Sequence, residues 1–417
     1  MSDEVPHGWR AGRLKDLCEP VERRLGALER SIVLSVTKRG VIPQSDTYDK
    51  EIASEDISRY RVIQPGEFGL APMALYYGAV GRYHGSISGI ISPAYNVFRH
   101  KDDADPRFLE ALVRLPRMIA RYEALSQGGN LDGKRKLTPY DAFETVKVIV
   151  PPLAEQRAIA ALLSVAKEEF AKTEAWVAQI YATAEAISEA LFLGIDPSSG
   201  ALKREEWKLS TLGAEMSAIK VGIVVRPASY YVSDGGVPAL RSLNVRPNRL
   251  LLDSLVQISK TGHQINNKSA LRAGDVVTVR TGEPGKTAYI MDDFGGLNCI
   301  DIIFSRPGPS VRGEYVSYFM NSGIAKRQIA FLQGGLAQQH LNVGEMKRIK
   351  ISVPPLAYQD QTIALLNEVW ACIDAGEAKL RQLRRLQVAL AEELLSGRLR
   401  LPERLVARFS DTPAAAA

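Results

Sequence analysis

PPLAEQRAIAALL at Pro151–Leu163 and PPLAYQDQTIALL at Pro354–Leu366 are two copies of one motif. Each opens a long segment, and Pro151–Gly194 aligns onto Pro354–Gly397 without a gap, always 203 residues apart. Of the 44 columns, 15 are identical, among them Gln156/Gln359, Glu174/Glu377, Gln179/Gln382, Glu189/Glu392 and Gly194/Gly397. A repeat of this length in one register says that the chain is built twice, as two heads that each lead into one copy of a stalk.

The stalks read as helices. Ile159, Leu163, Ala166, Phe170, Thr173, Val177, Ile180, Ala184, Ile187 and Leu191 follow one another by steps of four and three. Leu366, Val369, Ile373, Gly376, Leu380, Leu383, Gln387, Leu390 and Leu394 repeat the rule in the second copy. Such steps keep one seam on one side of a helix, the pattern of a coiled coil. The Pro-Pro pair permits a helix start and forbids helix before it, and the glycine near each end suits a C-terminal cap. Each rod would be roughly 60 Å long at the α-helical rise. A chain with two matching rods is expected to pack them on each other, antiparallel.

The bulk composition bounds the rest. A chain of 417 residues has room for two or three domains with their own cores. The net charge of +6 is a mild basic excess, compatible with a polyanionic partner. Cys18, Cys299 and Cys372 never form a C-x-x-C pair, so neither a disulfide framework nor a zinc site is indicated. MSDEVPHGWR is no signal peptide, and no apolar run reaches membrane-spanning length. The expectation is a cytoplasmic protein with no membrane contact. The terminal DTPAAAA reads as a frayed tail.

Taken in order, residues 1–150 form the first head, 151–194 the first rod and 195–206 a linker of turn formers and charges. Residues 207–353 form the second head, 354–397 the second rod and 398–417 a C-terminal tail, with SGRLRLPERL expected to fold back toward the first head. SIVLSVTKRGVI, RYRVIQPGEFGLAPM and GSISGIISPAYNVFRH read as strands and turns, and PRFLEALVRLPRMIARYEALS as helix interrupted at Pro116. The second head replays this order. Trp207 corresponds to Trp9, LRAGDVVTV to the turn after Ile63, CIDIIFSRP to SPAYNVFRH, and YVSYFMNSGIAKRQIAFLQGG to the helical stretch with its paired glycines. RIKISVPPL corresponds to KVIVPPL. The frame is kept and the loops are not, which is where two specificities would differ.

Together, these features resemble the specificity (S) subunit of type I restriction-modification enzymes, over essentially the whole chain. The PPL-x-EQ helix start is the family's mark. It is intact at Pro151, whereas the second copy carries Tyr358 in place of the usual glutamate. VPALRSLNV and GDVVTVRTGEPGKTAYI in the second head, and GEFGLAPMALYYGAVGRYHGSISGIISPAYNVFR in the first, are also similar to family patterns. The resemblance implies an α+β fold: two target-recognition domains of mixed strands and helices, joined by two long antiparallel coiled-coil helices in an internal pseudo-two-fold repeat. It implies a non-catalytic reader of double-stranded DNA whose heads each recognise half of a split, asymmetric target. The rods would dock two methyltransferase (M) subunits, with restriction/translocase (R) subunits joining through them. No cofactor is expected on this chain, since S-adenosylmethionine, ATP and Mg would belong to the partner subunits. A coiled-coil adaptor whose heads bind protein or RNA is the alternative.

Phosphates call for Lys and Arg, and base edges for side chains with paired donors and acceptors on loops. On that basis the candidates in the first head are Arg82, Tyr83, His84, Lys134, Arg135 and Lys136. In the second head they are Arg241, Asn244, Lys260, His263, Gln264, Asn267, Arg280, Thr281, Lys286, Gln338, Gln339 and His340. The bland reading of each is a solvated loop residue, and of Tyr76 and Tyr77 a half-buried strand. Trp176 and Trp370 lie outside the strict seam, facing either a head or a partner subunit.

Three tempting motifs fail. GEPGKT at Gly282–Thr287 lacks the earlier glycine of a phosphate loop, because that place holds Arg280. Val-Pro-Pro-Leu lacks the Asn or Asp and the aromatic of an amino-methyltransferase motif. Glu345 and Lys347 have nuclease spacing but no Pro-Asp partner upstream. No Ser-His-Asp or metal constellation is visible either.

Overall fold

The computed structural model describes residues 5–25, 32–47, 57–127, 136–294, 296–333 and 340–410. The chain divides into two units. One combines Met1–Lys172 with Leu380–Ala417, and the other is Thr173–Lys379. The discontinuity of the first unit comes from the rods. Leu153–Phe192 and Leu356–Leu395 are unbroken α-helices of 40 residues each. Each unit therefore owns the beginning of one helix and the end of the other.

The helices pair antiparallel within both units. In the first, Ile159, Ala160, Leu162 and Leu163 share a core with Leu390, Leu394 and Leu395. In the second, Ile187, Leu191 and Phe192 share a core with Ile363, Leu366 and Trp370. Every position of the four-three seam is buried or half-buried, Phe170, Val177, Ile180, Val369, Ile373, Leu380 and Leu383 included. The polar or small seam members have local reasons. A Cβ added to Gly376 would lie 2.7 Å from a Val177 methyl and 3.1 Å from the Trp176 ring, so the glycine lets the helices approach there. Trp370 is half-buried, its ring 6.2 Å from that of Tyr181 and under the Arg249 guanidinium at 5.4 Å, so it meets the second head.

The joint between rod and head is built twice from one side chain. Gln156 is buried and makes three hydrogen bonds. Its Oε1 accepts from the Asp105 backbone N–H at 2.9 Å, and its Nε2 donates to the carbonyls of Asp103 at 3.1 Å and Pro151 at 3.0 Å. Gln359 repeats this with the Arg312 N–H at 2.8 Å and the carbonyls of Ser310 and Pro354, both at 2.9 Å. Asp105 and Arg312 are the N-cap residues of the head helices Pro106–Val113 and Gly313–Asn321. One amide thus ties the start of the long helix to the start of the head's own helix.

The neighbouring position differs between copies. Glu155 accepts from the Trp9 indole at 2.9 Å and from Arg400 at 2.9 and 3.0 Å, and Arg400 also donates to the His7 carbonyl at 2.9 Å. The C-terminal tail is bound to the first head through this bracket. Tyr358 instead packs edge-on against Trp207, with ring centroids 4.9 Å apart. Each tryptophan also covers the glycine that ends a long helix, Trp9 over Gly397 and Trp207 over Gly194, both at positive φ.

Each head is closed by its own first and last strands. Arg10–Arg13 pairs antiparallel with Lys147–Val150, and Lys208–Thr211 with Lys350–Val353. Above this, among the described residues, lie two four-stranded sheets per head. The first sheet has the same topology in both. In the first head Cys18–Val21, Asn96–His100, Phe68–Leu70 and Val80–Arg82 stand side by side, and in the second Met216–Val221, Ile302–Pro307, Val276–Val279 and Thr287–Tyr289. The second sheets share only a parallel pair, Ile32–Thr37 with Gly89–Ile91 at the centre of one and Val237–Leu240 with Asn298–Cys299 at the edge of the other. The strands added around that pair are different. Tyr122, Phe143, Phe68 and Phe98 fill the first core, and Tyr315, Phe319, Met320 and Met346 the second.

Glu215, buried in the second unit, gathers the loop that Gln359 also holds. It accepts from Ser310 and from Lys208 at 3.0 Å. Hydrogen bonds from Ser210 and Ser310, with Lys208, bring its carboxyl down to about 2.

Gln359→Ala leaves three backbone groups, one of them buried, without their side-chain partner. We expect it to destabilise the second unit by about 3 kcal/mol, read as a lower denaturant midpoint at unchanged slope. Gln359→Glu is expected to be no rescue, because a carboxylate has no N–H for the two carbonyls. Because the folded carboxyl of Glu215 sits below its ordinary value, its stabilisation is full at neutral pH and lost as pH falls toward about 2. Glu215→Gln should flatten the acid limb of the stability–pH curve. A chain carrying a crosslinkable residue at Leu163 and another at Leu394 should link within one molecule, and linkage only between molecules would contradict the antiparallel pairing.

Candidate nucleic-acid interface

In the first head the candidate residues lie at the end of the strand Val80–Arg82. Arg82 donates from Nε to the Gly66 carbonyl at 3.2 Å and is half-exposed. His84 is exposed, with Nε2 3.0 Å from Glu110, and Arg114 lies 3.7 Å from the same carboxylate. Burial pushes the Glu110 carboxyl up, but His84, Lys167 and Arg114 together hold it below its ordinary value. The hairpin turn carrying Lys38 and Arg39 joins this edge. Val41 bridges to Tyr83, and Arg114 donates to the Lys38 carbonyl at 3.0 Å. Lys38, Arg39 and Arg114 were not among the sequence candidates. The signal for the first two was the Lys-Arg-Gly break in a β-rich run, and for Arg114 there was none. Lys136 pairs with Glu123 at 2.8 Å and sits over the Tyr76 ring at 4.9 Å. Lys134 and Arg135 lie outside the described residues, as do Gln338 and Gln339 in the second head.

In the second head Lys260, Gln264 and Asn267 are exposed, on the short helix Lys260–Ile265 and the turn after it. His263, half-buried, has Nδ1 3.1 Å from the side-chain amide nitrogen of Asn298. Arg280 donates to Asp301 at 3.1 Å and to His340 Nε2 at 2.7 Å, while His340 Nδ1 lies 3.1 Å from the Thr281 hydroxyl. Arg280 only donates, so His340 Nε2 is the acceptor and Nδ1–H donates to Thr281. Both ring nitrogens of His340 are thereby engaged. One short segment joins the two groups: Asn298 holds His263, and Asp301, three residues on, holds Arg280. That chain length spans at most about 11 Å. Neither Asn298 nor Asp301 stood out in the sequence, because each acts through a partner remote along the chain.

Other expected contacts are taken up inside the fold. Asn244 is fully buried, with Oδ1 accepting from the Arg241 N–H at 2.9 Å and Nδ2 donating to the Leu251 carbonyl and the Ser254 hydroxyl. Tyr83 is buried in the core with Val21, Leu34 and Val41, and burial pushes its phenol up. A residue without solvent access cannot reach a base edge, so these two are loop anchors. Arg241 is half-buried, donating to the Ser254 carbonyl at 3.2 Å. Lys286 is paired with Glu283. Burial pushes the Cys18 thiol up to about 12 and raises that of Cys299. Among the described residues no group of three or more His, Cys, Asp or Glu could hold a metal ion, and no helix is long and apolar enough to cross a membrane.

The family model for the type I restriction modification DNA specificity domain matches residues 233–385. A putative type I restriction enzyme specificity subunit of Methanocaldococcus jannaschii, MjaX, is 23% identical over 433 aligned positions that cover 95% of each chain. A second from that organism, MjaVIII, is 21% identical over 279 positions, covering 62% of this chain and 63% of its own. This chain carries the DNA specificity domain of type I restriction-modification systems and is similar over 95% of its length to a specificity subunit of such a system. Its fold is that of a chain solved in work on complex assembly and conformational transition of the type I system, at TM-score 0.61 and 21% identity, with 95% of this chain and all of the other covered. A type I S subunit from M. genitalium matches at TM-score 0.54 and 12% identity, over 95% of this chain and 97% of that one. The function these matches support is recognition rather than catalysis.

Exposure separates the candidates by role, and the two roles have different readouts. Lys260→Ala is expected to lower the slope of log affinity for duplex DNA against log salt by about one, with stability unchanged. Asn244→Ala is expected to lower the melting temperature of the second unit.

Proposed function

We propose that residues 1–150 and 207–353 are two target-recognition domains, each reading one half of a split, asymmetric double-stranded DNA target. The observation that carries this reading is the contrast between the sheets. Both heads keep the closing strands, the first sheet and the glutamine joint, and they diverge in the edge strands of the second sheet and in the loops beside it. Identical heads suit palindromes, whereas unlike heads on one frame suit two unlike half-sites.

In this reading Lys260, Gln264, Asn267, Arg280 and Thr281 face DNA from the second head, with His340 as a support for Arg280. In the first head Arg82 and His84 do so, joined by Lys38 and Arg39, and Lys134, Arg135, Gln338 and Gln339 retain their proposed contact roles. Residues 151–194 and 354–397 set the spacing and dock two methyltransferase subunits, through which restriction subunits join. S-adenosylmethionine, ATP and Mg serve those partners, and the assembly works in the cytoplasm on cellular DNA.

The test is to assemble the chain with its methyltransferase partner and map modified adenines across a genome. Exchanging residues 260–268 for the corresponding loop of another specificity subunit should alter one half of the methylated motif and leave the other half intact. A change in both halves, or in neither, would contradict the division of labour.

A further inference from the structure

Asn298 belongs to the parallel pair that the second sheets of both heads have in common and is fully buried. Its side-chain orientation is fixed by the backbone. Oδ1 accepts from the Cys299 N–H at 2.8 Å, a group that can only donate. Nδ2 is therefore the other end of the amide, and it lies 3.4 Å from the Asn266 carbonyl, where a donor is required. The same Nδ2 is 3.1 Å from His263 Nδ1. A donor on the asparagine side obliges Nδ1 to present its lone pair, so the ring proton of neutral His263 sits on Nε2.

This is the reverse of His340, whose proton sits on Nδ1 and whose two nitrogens are both engaged. His263 Nε2–H has no protein partner among the hydrogen bonds of the described residues. The ring is only half-buried, and its neighbours Lys260, Gln264, Asn267 and Lys268 are exposed. A single fixed donor in a basic, amide-rich setting selects for a lone pair held in place on a polyanion.

We infer that His263 is a specificity-determining residue of the second head, donating from Nε2–H to an acceptor on a base edge, with Asn298 as the positioning residue that sets the tautomer. This rests on the head being a DNA reader. The acceptors available in the major groove are a purine N7 and the keto oxygens of guanine and thymine, whereas the amino groups of adenine and cytosine are rejected because donor would meet donor. Asn298 acts from beneath, at a site that never touches DNA.

Two measurements on the full-length protein decide it. In the free chain labelled with 15N-histidine, the five imidazoles are assigned by comparison with His263→Ala, and multiple-bond spectra should show His263 with its proton on Nε2. Asn298→Asp, whose carboxylate can only accept, should move that proton to Nδ1 without altering the His340 signals. A wild-type His263 protonated on Nδ1 would overturn the inference, whatever the variant does.

The second measurement uses the complex with its methyltransferase partner, on target duplexes carrying one base analogue at a time in the second head's half-site. 7-Deazaguanine and 7-deazaadenine remove N7, and 2-aminopurine in place of guanine removes O6. A thymine analogue without O4 completes the set. At one position, loss of an acceptor should weaken wild-type binding roughly five- to tenfold, and the position identifies which acceptor is read. In His263→Ala that loss should vanish while losses at other positions persist. If His263→Ala responds like wild type at every position, His263 is only a tether between helix and sheet and the inference fails, with the two-headed reading intact. If the wild-type complex shows no preference for any split target, the DNA-reading proposal itself fails.

Discussion

The buried amide of Gln156, and its counterpart in Gln359, is the joint on which both halves depend. A helix start leaves backbone N–H groups unpaired, and a prolyl entry leaves carbonyls without a natural partner. Glutamine carries an acceptor and two donors on a side chain long enough to span the two helix starts. In each unit it satisfies one N–H and two carbonyls drawn from two separate stretches of the chain. Around it the apolar core runs without a break from the head into the helix pair, through Ile159 and Leu394 in one unit and Leu191 and Leu366 in the other. Head and rod are therefore one cooperative structure rather than beads on a string.

That coupling explains which parts of the duplication have stayed alike. Closing strands and the first sheet share one core with the rods, and the tryptophans cap the rods' end glycines, so a change in one must be met in the other. The outer sheet is released from this constraint beyond its one parallel pair, and there the two heads have diverged. Even the joint shows the principle at small scale. Glu155 and Tyr358 occupy matching positions against matching tryptophans, one through a carboxylate with Arg400 and the other through ring packing. The first solution fixes the tail of the chain, and the second stands beside the linker that follows Gly194.

Function on such a frame is carried by side chains whose roles cannot be inferred from type alone. Asn244, His263 and His340 are all polar and all lie outside the strands of the second head. One is an internal brace, one holds an arginine, and one keeps a ring nitrogen free. What separates them is the partner each finds: Ser254 and Leu251, Asn298, and Arg280 with Thr281.

The sequence by itself determined the duplication, the two rods, their seam and the family resemblance. These rest on periodicity and on a motif repeated in register, and such signals are local enough to survive without coordinates. It also marked Gln156 and Gln359 as matched residues without saying what they bind, since Asp103, Asp105, Ser310 and Arg312 lie some fifty positions away in the chain. Only the tertiary structure decided that Tyr83 and Asn244 are buried, that Lys38 and Arg39 stand beside Arg82 and His84, and that Asn298 governs a histidine. Those facts depend on which strands become neighbours across the sheet, and hydrogen-bond direction is set there, where residue type leaves it open.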